Sequence, residues 1–496
     1  MVLTVTDWLA LAPALCLIVA GIAAVGVDLW LRGRYALVPL AISMIGLGSA
    51  FGILLRLLLS GGGGYRAFDG TIVLDEMAAT LSLGVCLATT LILSIAPVDA
   101  LRRRTNFGEL YGLILISAAA MVLLLCSNDF MLVFLNIEVM SIAMYVLTGI
   151  TRRNPRSNEA ALKYLVTGAF ATGFLLFGVA LLYGATGSFR LEGIGAALTT
   201  GNHSALLPLG FGMLIVGFGF KVGAVPFHMW VPDVYEGAPT TTTAFMAVTV
   251  KAAATGAMMR VLLIAGASRP ELWAPTLWWI ALATMIVGNL LAAQQKSVKR
   301  MLAYSSVAHT GYALVAIATM LGTDGSFSTE GASAVIFYLF SYTFTTLGAF
   351  LFLVYMGHEA PSRSGPEWQD AETLDDLAGL GFRHPWAAGA MALFLISLGG
   401  IPPTAGFFGK FYLFQAAVEQ GHSLLVVIGV MTSLVSLYYY LRVVVAMYMR
   451  PTETTDEQPR AAVGAVLLLA SVATILLGIL PGILVDWATR SIVSLH

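Results

Sequence analysis

Charged residues and cysteines are scarce in this chain. Only 11% of its 496 residues are Asp, Glu, Lys or Arg, the formal net charge is −1, and 58% are hydrophobic. This composition is far more apolar than that of soluble proteins, and no basic stripe indicates nucleic-acid binding. Cys16, Cys86 and Cys126 stand apart, without a CxxC pair or a Cys/His cluster. The sequence therefore predicts no metal, haem, iron–sulfur centre or other cofactor in this chain.

Long apolar runs dominate the sequence instead. A transmembrane helix needs about 20 apolar residues, and fourteen runs meet this condition, at approximately 8–31, 35–59, 77–97, 108–126, 129–150, 160–184, 206–230, 241–266, 273–293, 300–322, 333–357, 386–418, 423–448 and 461–487. The sequence thus predicts an all-α polytopic membrane protein with about fourteen transmembrane helices.

The basic residues of the loops are distributed unevenly between the two sides. One alternate set of loops holds only Arg66, Arg190 and Arg269, and the other set holds Arg32, Arg34, Arg102, Arg103, Arg104, Arg152, Arg153, Arg156, Lys296, Lys299, Arg300, Arg363, Arg383, Arg450 and Arg460. Positive residues collect in cytoplasmic loops. Both termini are therefore predicted to face the non-cytoplasmic side.

Most of the lysines lie inside apolar runs, where a charged side chain is unfavourable. Four of the six lysines, Lys163, Lys221, Lys251 and Lys410, fall in apolar runs. Placing a lysine at the centre of a transmembrane helix costs about 2.5–3.5 kcal/mol, so a lysine inside a span is interpreted by default as a functional residue. Glu138 is the only acid that we place near the middle of a span, which suggests that it pairs with a lysine. Because lysine can lose its proton when buried whereas arginine stays charged, such lysines can hold and release protons.

Two alternatives remain open for these charges. Lys163 lies near the start of its helix, and Arg56, Arg260 and Arg442 lie near span ends, so their side chains could extend to the membrane interface. A static ion pair could also hold Glu138 with one lysine, although the other lysines would then lack a partner.

Glycine and proline interrupt two spans at similar places. KVGAVP at 221–226 aligns with SLGGIP at 397–402, which predicts helix breaks at Gly223 and Pro226 and, in the twelfth span, at Gly399, Pro402 and Pro403. Proline removes a backbone donor, and the freed groups are expected to hold water beside the lysine. Matched broken helices in two inverted halves are typical of transporter binding sites.

The broken spans suggest an internal repeat. Glu138–Tyr145 also resembles Ser305–Tyr312, and Arg260 resembles Arg442, so spans 4–8 and 9–13 are predicted to be five-helix repeats. Five is odd, so the second copy should be inverted in the membrane. The predicted regions are helices 1–3 at 1–105, the first repeat at 106–268, the second repeat at 269–450 and helix 14 at 451–496.

Several motifs together resemble a known family. KVGAVPFHMWVPDVYEGAPTT, Lys251 in the next span, Glu138 two spans earlier and GGIPPTAGFFGKF are similar to the antiporter-like membrane subunits of respiratory complex I and to their relatives in multisubunit sodium/proton antiporters. The resemblance covers most of the chain. Lys410 and the NEAALKYLVTGAF stretch around Lys163 favour a complex I subunit, of the type without a long lateral helix. Spans 1–3 carry no recognisable motif.

The resemblance implies a proton-translocating subunit of NADH:quinone oxidoreductase in a bacterial inner membrane. Other membrane and peripheral subunits, especially neighbouring antiporter-like subunits, would be its partners. The quinone, NADH, FMN and iron–sulfur clusters would belong to those subunits, and this chain would carry out no redox chemistry. The alternatives are a subunit of a sodium/proton antiporter or of a membrane-bound hydrogenase-type complex, an autonomous transporter, or a purely structural subunit.

The resemblance also implies roles for individual residues. Glu138 would pair with Lys221, the pumping-site lysine, and Lys163 would lie close to that pair. Lys251 would be the central relay. Lys410 would exchange protons with the non-cytoplasmic side, and His309, in YSSVAHTGY, is a candidate link between Lys251 and Lys410.

Overall fold

The computed structural model describes residues 4–31, 35–60, 64–103, 105–200, 204–321, 327–360, 367–451 and 461–493. The α-helices within these ranges are α1 Val5–Leu31, α2 Leu37–Ser60, α3 Glu76–Arg103, α4 Phe107–Cys126, α5 Phe130–Thr148, α6 Pro155–Thr186, α7 Leu191–Thr199, α8 Leu206–Val222, α9 Trp230–Gly237, α10 Thr240–Phe245, α11 Lys251–Ile264, α12 Ala274–Ala293, α13 Val298–Thr319, α14 Thr329–Tyr355, α15 Leu380–Arg383, α16 Pro385–Gly399, α17 Ala405–Glu419, α18 Ser423–Met449, α19 Ala461–Ile479 and α20 Pro481–Val493. Two small antiparallel hairpins pair β1 (Tyr65–Ala67) with β2 (Ile72–Leu74) and β3 (His358–Ala360) with β4 (Glu367–Gln369).

The prediction of an all-α polytopic membrane protein is confirmed. Among the described residues, twelve helices are long and apolar enough to cross a membrane. Two shorter apolar helices, Leu206–Val222 and Pro385–Gly399, lie within the seventh and twelfth predicted spans. The count of fourteen and the division into repeats stay predictions, because helix length alone does not show that these two helices cross.

The helix that carries Lys251 changes its winding just before the lysine. Residues Thr240–Ile264 form one candidate span, but Met246–Val250 adopts a π-helical turn between α10 and α11. Such turns occur often at functional sites. Lys251, the first residue of α11, follows the π-turn directly and is therefore a candidate functional residue.

The two helix breaks share one backbone pattern. This pattern aligns the two breaks with a shift of one residue from the alignment that the sequence predicted. At the first break Gly223 has a φ of 76°, and Ala224 N donates to Gly219 O. At the second, Gly400 has a φ of 81°, and Ile401 N donates to Ile396 O. Glycine accommodates this left-handed conformation, which ends many helices. Gly223 thus corresponds to Gly400, and the predicted equivalence with Gly399 is wrong because Gly399 is still the last helical residue of α16.

The helices of the candidate site form the centre of the structure. Helices α11, α13 and α14 are almost entirely buried, whereas α1, α2, α18 and α19 expose much of their surface. The long apolar sequences of these outer helices leave large hydrophobic side chains exposed, among them Trp30, Leu59, Tyr438 and Ile479. In a membrane protein such surfaces contact lipid or other subunits.

Arg260 does not extend to the interface as the snorkelling alternative suggested. Its side chain is 1% exposed, and its Nη2 donates to both carboxylate oxygens of Asp75, at 2.6 and 2.7 Å. Asp75 also accepts from Ala78 N at the start of α3. Arg442 in turn donates to the carbonyls of Ala293 and Gln295 at the end of α12. Both arginines therefore connect helices.

The predicted orientation depends partly on residues that the structure does not describe. Arg32, Arg34, Arg104, Arg363 and Arg460 lie outside the described residues. The location of both termini therefore stays a prediction.

Candidate functional site

Lys221 is buried at the end of α8, and its ammonium group is hydrogen-bonded to a serine. Its side chain is 3% exposed, and Nζ donates to Ser141 Oγ at 2.6 Å. Glu138 lies one turn earlier on α5, and its Oε1 is buried without a hydrogen-bond partner among the described residues. The described residues contain no ion pair between Glu138 and Lys221. The expected direct pair is thus absent from the described contacts, and Lys221 instead contacts Ser141, which donates to Ile137 O and not to Glu138.

The backbone at the first break is satisfied by side chains. Thr310 Oγ1, on α13, donates to Val222 O at 2.7 Å, and Trp230 Nε1 donates to Phe220 O at 3.0 Å. On the far side of the break, Val225 N donates to a threonine hydroxyl of α12 at 3.0 Å. Protein hydroxyl and indole groups thus satisfy these three backbone groups, since α9, α12 and α13 pack directly against the break. Water beside Lys221 stays a prediction.

Lys251 is held by the same face of α13. Its side chain is 5% exposed, and Nζ lies 2.5 Å from both the carbonyl oxygen and the Oγ of Ser306. The Tyr342 hydroxyl, on α14, donates to Ser306 Oγ at 2.8 Å. Thr310 Oγ1 also lies 3.2 Å from Ser306 O. Thr310 and Ser306 therefore connect the break beside Lys221 to Lys251.

His309 lies between hydroxyl groups on two other helices. Its Nδ1 is 2.6 Å from the Tyr338 hydroxyl, and its Nε2 is 3.2 Å from the Tyr440 hydroxyl. Tyr440 also contacts Ser305 Oγ. The imidazole ring is 3% exposed, and its centroid lies 5.2 Å from that of Tyr342 and 5.6 Å from that of Tyr312. His309 thus sits between the surroundings of Lys251 and those of Lys410.

Lys410 binds the second break from the helix that follows it. Nζ donates to Leu398 O at 2.8 Å, to Gly399 O at 3.4 Å and to Ser433 Oγ at 2.8 Å. It also lies 4.7 Å from the centre of the Tyr312 ring. At the first break the lysine precedes the left-handed glycine, whereas here it follows. Lysine and broken backbone nevertheless meet at both places.

These residues form one buried array across the protein, which we call the lysine line: Lys221, Thr310, Ser306, Lys251, His309, Tyr312 and Lys410. Thr310 contacts Ser306, Ser306 contacts Lys251, His309 contacts Tyr312, and Tyr312 contacts Lys410. The other two links are indirect. Thr310 bonds the carbonyl of Val222, next to Lys221, and the centre of the Tyr342 ring lies 5.6 Å from Lys251 Nζ and 5.2 Å from the imidazole centroid of His309. Lysines and a histidine can bind protons, and hydroxyl groups can both donate and accept them. The arrangement is therefore suited to holding and passing protons at bilayer depth.

Lys163 does not join the lysine line. Its side chain is 45% exposed and pairs with Glu159 and Asp233, each at 2.8 Å. Asp233 is also bound by Arg300 at 2.9 Å. The ion pairs of Lys163 thus include neither Glu138 nor Lys221, and its implied closeness to them stays a prediction. Lys163 points from α6 toward α9, because its cross-helix partner Asp233 lies there.

The sequence interpretation missed most of the uncharged members of the site. Ser141, Tyr338, Tyr440 and Ser433 contact the lysines or His309 directly. Thr310 contacts the carbonyl of Val222, next to Lys221. Hydroxyl residues are common in helices, so their type alone gave no signal. Ser141 could have been found by its spacing, since a residue three positions after Glu138 shares its helix face.

The fold and these buried lysines define a class of membrane protein, and comparison with known proteins places the chain in it. Residues 127–436 match the family model described as NADH:quinone oxidoreductase/Mrp antiporter, TM. The chain belongs to this family, and the resemblance inferred from its motifs is confirmed.

Individual relatives and solved structures show which members of this family the chain resembles. The chain is 43% identical over 430 residues to NADH-quinone oxidoreductase subunit N of Trichlorobacter lovleyi, covering 86% of this chain and 85% of the relative. It is 34% identical, with a TM-score of 0.79, to a chain of respiratory complex I from Thermus thermophilus solved with bound aureothin, covering 96% and 98% of the two chains. A chain of the Mrp complex from a Dietzia species has a TM-score of 0.84 over 99% and 97% of the chains, and at 23% identity this likeness shows the fold alone.

Proposed function

We propose that this chain is a proton-translocating membrane subunit of a bacterial NADH:quinone oxidoreductase. The observation that carries the proposal is the lysine line, which connects two broken helices through buried protonatable groups. The names of the relatives support the same reaction. In this proposal the quinone, NADH, FMN and iron–sulfur clusters belong to partner subunits, and the residues of this chain only hold and move protons.

The protonatable members of the line have individual proposed tasks. Lys221 accepts a proton while Glu138 and Ser141 stabilise its charged form. Lys251 is the central relay, with Ser306 as its hydrogen-bond acceptor. His309 passes the proton toward Lys410, which exchanges it with the non-cytoplasmic side. A buried carboxylate near a lysine favours the charged lysine, so moving the charges of neighbouring groups would move protons along the line.

The exposed surface at the helix breaks supports assembly with other subunits. Pro226, Pro402 and Pro403 are exposed, and the side chain of Met229 is 79% exposed. Irregular backbone is not found facing lipid within the hydrocarbon region, because its polar groups would be unsatisfied there. Neighbouring membrane subunits are therefore proposed to cover both breaks. Two stretches rich in glycine and alanine, 165–180 and 386–400, have the small residues that favour helix–helix contacts in membranes. The first is largely exposed, whereas the second is mostly buried within this chain.

Co-purification tests the assembly directly. We expect a tagged chain, extracted in mild detergent, to bring with it other membrane subunits and subunits that bind flavin and iron–sulfur clusters. The measurement is mass spectrometry of the native complex, together with its visible absorbance. Recovery of an active protein without partners would contradict the proposal.

Two lysines of unlike burial provide a matched test of the line. Lys251→Met should lower NADH-driven proton uptake into inside-out vesicles by at least about tenfold, since a relay that cannot bind a proton raises the barrier by more than ~1.4 kcal/mol. Lys296 is exposed, and Lys296→Met should leave uptake unchanged. Equal uptake by the two variants, at equal amounts of assembled complex, would rule out Lys251 as a relay.

A second candidate is sodium transport, because the matched family model also covers Mrp antiporters. A row of lysines disfavours it, since sodium sites are built from oxygen ligands without adjacent fixed positive charge. Vesicles of the complex should therefore acidify at the same rate with and without sodium. A strict requirement for sodium would favour the antiporter function.

A further inference from the structure

A short segment between α14 and α15 is bonded to the ends of several other helices. We call residues 367–373 the strap. Its Ala371 N donates to Leu353 O at 3.1 Å, and Glu372 O accepts from Val298 N, at the start of α13, at 2.7 Å. The guanidinium carbon of Arg102, on α3, lies 3.5 Å from the centre of the Trp368 ring. The strap therefore joins α3, α13 and α14 at the side of the molecule where the basic loops lie.

A buried charge cluster connects the strap to the helix that leads to Lys251. Asp370 is 5% exposed and is bound by Arg103, which also donates to Asp99 at 2.8 Å. The Thr241 hydroxyl, in the first turn of α10, donates to Asp99 at 2.6 Å. Burial acts to raise the pKa of Asp370, but the charges of Arg103 and Lys299 outweigh it and hold the pKa below its ordinary value. Asp370 is thus an ionised anchor between α3 and the strap.

Lys299 connects the strap to the start of α13 and to the turn that precedes α10. Its side chain is 3% exposed, and Nζ donates to Glu372 Oε1 at 2.8 Å and to Ala238 O at 2.9 Å. Lys299 lies in the first turn of α13, and Ala238 lies in the turn between α9 and α10. One ammonium group therefore fixes the start of α13 against the turn that precedes α10.

These two ends belong to the helices that bring Lys251 and Ser306 together. Ser306 lies two turns after Lys299 on α13, at a rise of about 10 Å. Lys251 lies farther along the same span as Thr241. A displacement of one helix end relative to the other would be carried along both helices, because helices move largely as packed units. The hydrogen bonds from Lys251 Nζ to Ser306 cross between the two helices, so such a displacement would change them.

From this geometry we infer that Lys299 is a positioning residue for proton transfer, which sets the contact between Lys251 and Ser306 through its bonds to Glu372 and Ala238. This inference rests on the proposed function above. It assigns a task to a lysine that lies outside the lysine line, and to the strap, which touches no member of that line.

Variants of Lys299 in the assembled complex test this inference. Lys299→Met keeps the length of the side chain but loses both bonds, and should lower NADH-driven proton uptake per assembled complex about tenfold, as expected for a lost buried charged hydrogen bond. Lys299→Arg can still reach both acceptors and should restore most of the uptake. Lys296→Met, three residues earlier and exposed, is the control. Glu372→Gln should give an intermediate loss, and the double variant should equal Lys299→Met.

Different outcomes separate this inference from the proposed function. If Lys299→Met only reduces the amount of complex on native gels, with normal uptake per complex, Lys299 is structural and the inference is wrong. If Lys299→Met does not assemble, Glu372→Gln decides, because it keeps the bond to Ala238; normal uptake in that variant also overturns the inference. If Lys251→Met pumps normally in the same assay, the proposed function itself fails.

Discussion

Lys221→Arg should assemble normally and pump almost no protons. Arginine preserves the positive charge and most of the packing around α8, but guanidinium does not release its proton at any relevant pH. A residue that must exchange a proton therefore cannot be replaced by arginine. We expect proton uptake to fall by at least about tenfold, to the level of Lys221→Ala, since the barrier rises by more than ~1.4 kcal/mol.

The measurement is NADH-driven proton uptake by inside-out vesicles, with the amount of assembled complex determined on native gels. Arg260→Lys is an informative companion, because Arg260 pairs with Asp75 and lies outside the lysine line. It should change assembly more than uptake per complex. Near-normal pumping by Lys221→Arg would mean that Lys221 is a fixed countercharge, and the proton-carrier role would have to be abandoned.

Glu138→Gln should lower proton uptake about tenfold, as expected when one neighbouring charge that favours protonated lysine is removed. The amide has nearly the same shape, so the fold and the assembly should be preserved. The contact from Lys221 to Ser141 should also remain, because it does not involve the carboxylate.

Glu109→Gln provides the matched control for this variant. Glu109 is an acid at the start of the preceding helix, with its side chain 46% exposed and paired with Arg152 at 3.1 Å. An exposed pair of this kind contributes little, so uptake should not change. If Glu138→Gln behaves like Glu109→Gln, the buried carboxylate has only a structural role.

The long helices could be predicted from sequence because lipid requires long apolar runs. The breaks could be predicted as well, since glycine and proline have few other uses inside such runs. Their exact register could not. The twelfth span offers Gly399 beside Gly400, and only the observed φ of 81° at Gly400 shows which of the two glycines follows the end of the helix.

The site was predictable where a charge lay in an apolar run and unpredictable where a contact depended on distant parts of the chain. Lys221, Lys251 and Lys410 are buried, as their neighbours in sequence indicated. Arg260 was misjudged because its partner, Asp75, lies far away in sequence and lies at the start of another helix. Lys163 also lies in an apolar run, but α6 exposes one face, and a run of apolar residues does not tell which face a side chain occupies.

The π-turn at Met246–Val250 has a consequence for how related helices are aligned. A π-turn accommodates one residue more than an α-turn, so every side chain after it is rotated by about 100° relative to an unbroken α-helix. Lys251 is the first residue after that rotation. A helical wheel drawn through the whole of Thr240–Ile264 would therefore place Lys251 and Thr241 on incorrect relative faces. The extra residue turns the ammonium group toward Ser306, so the direction of the central lysine is encoded by a local winding defect upstream of it.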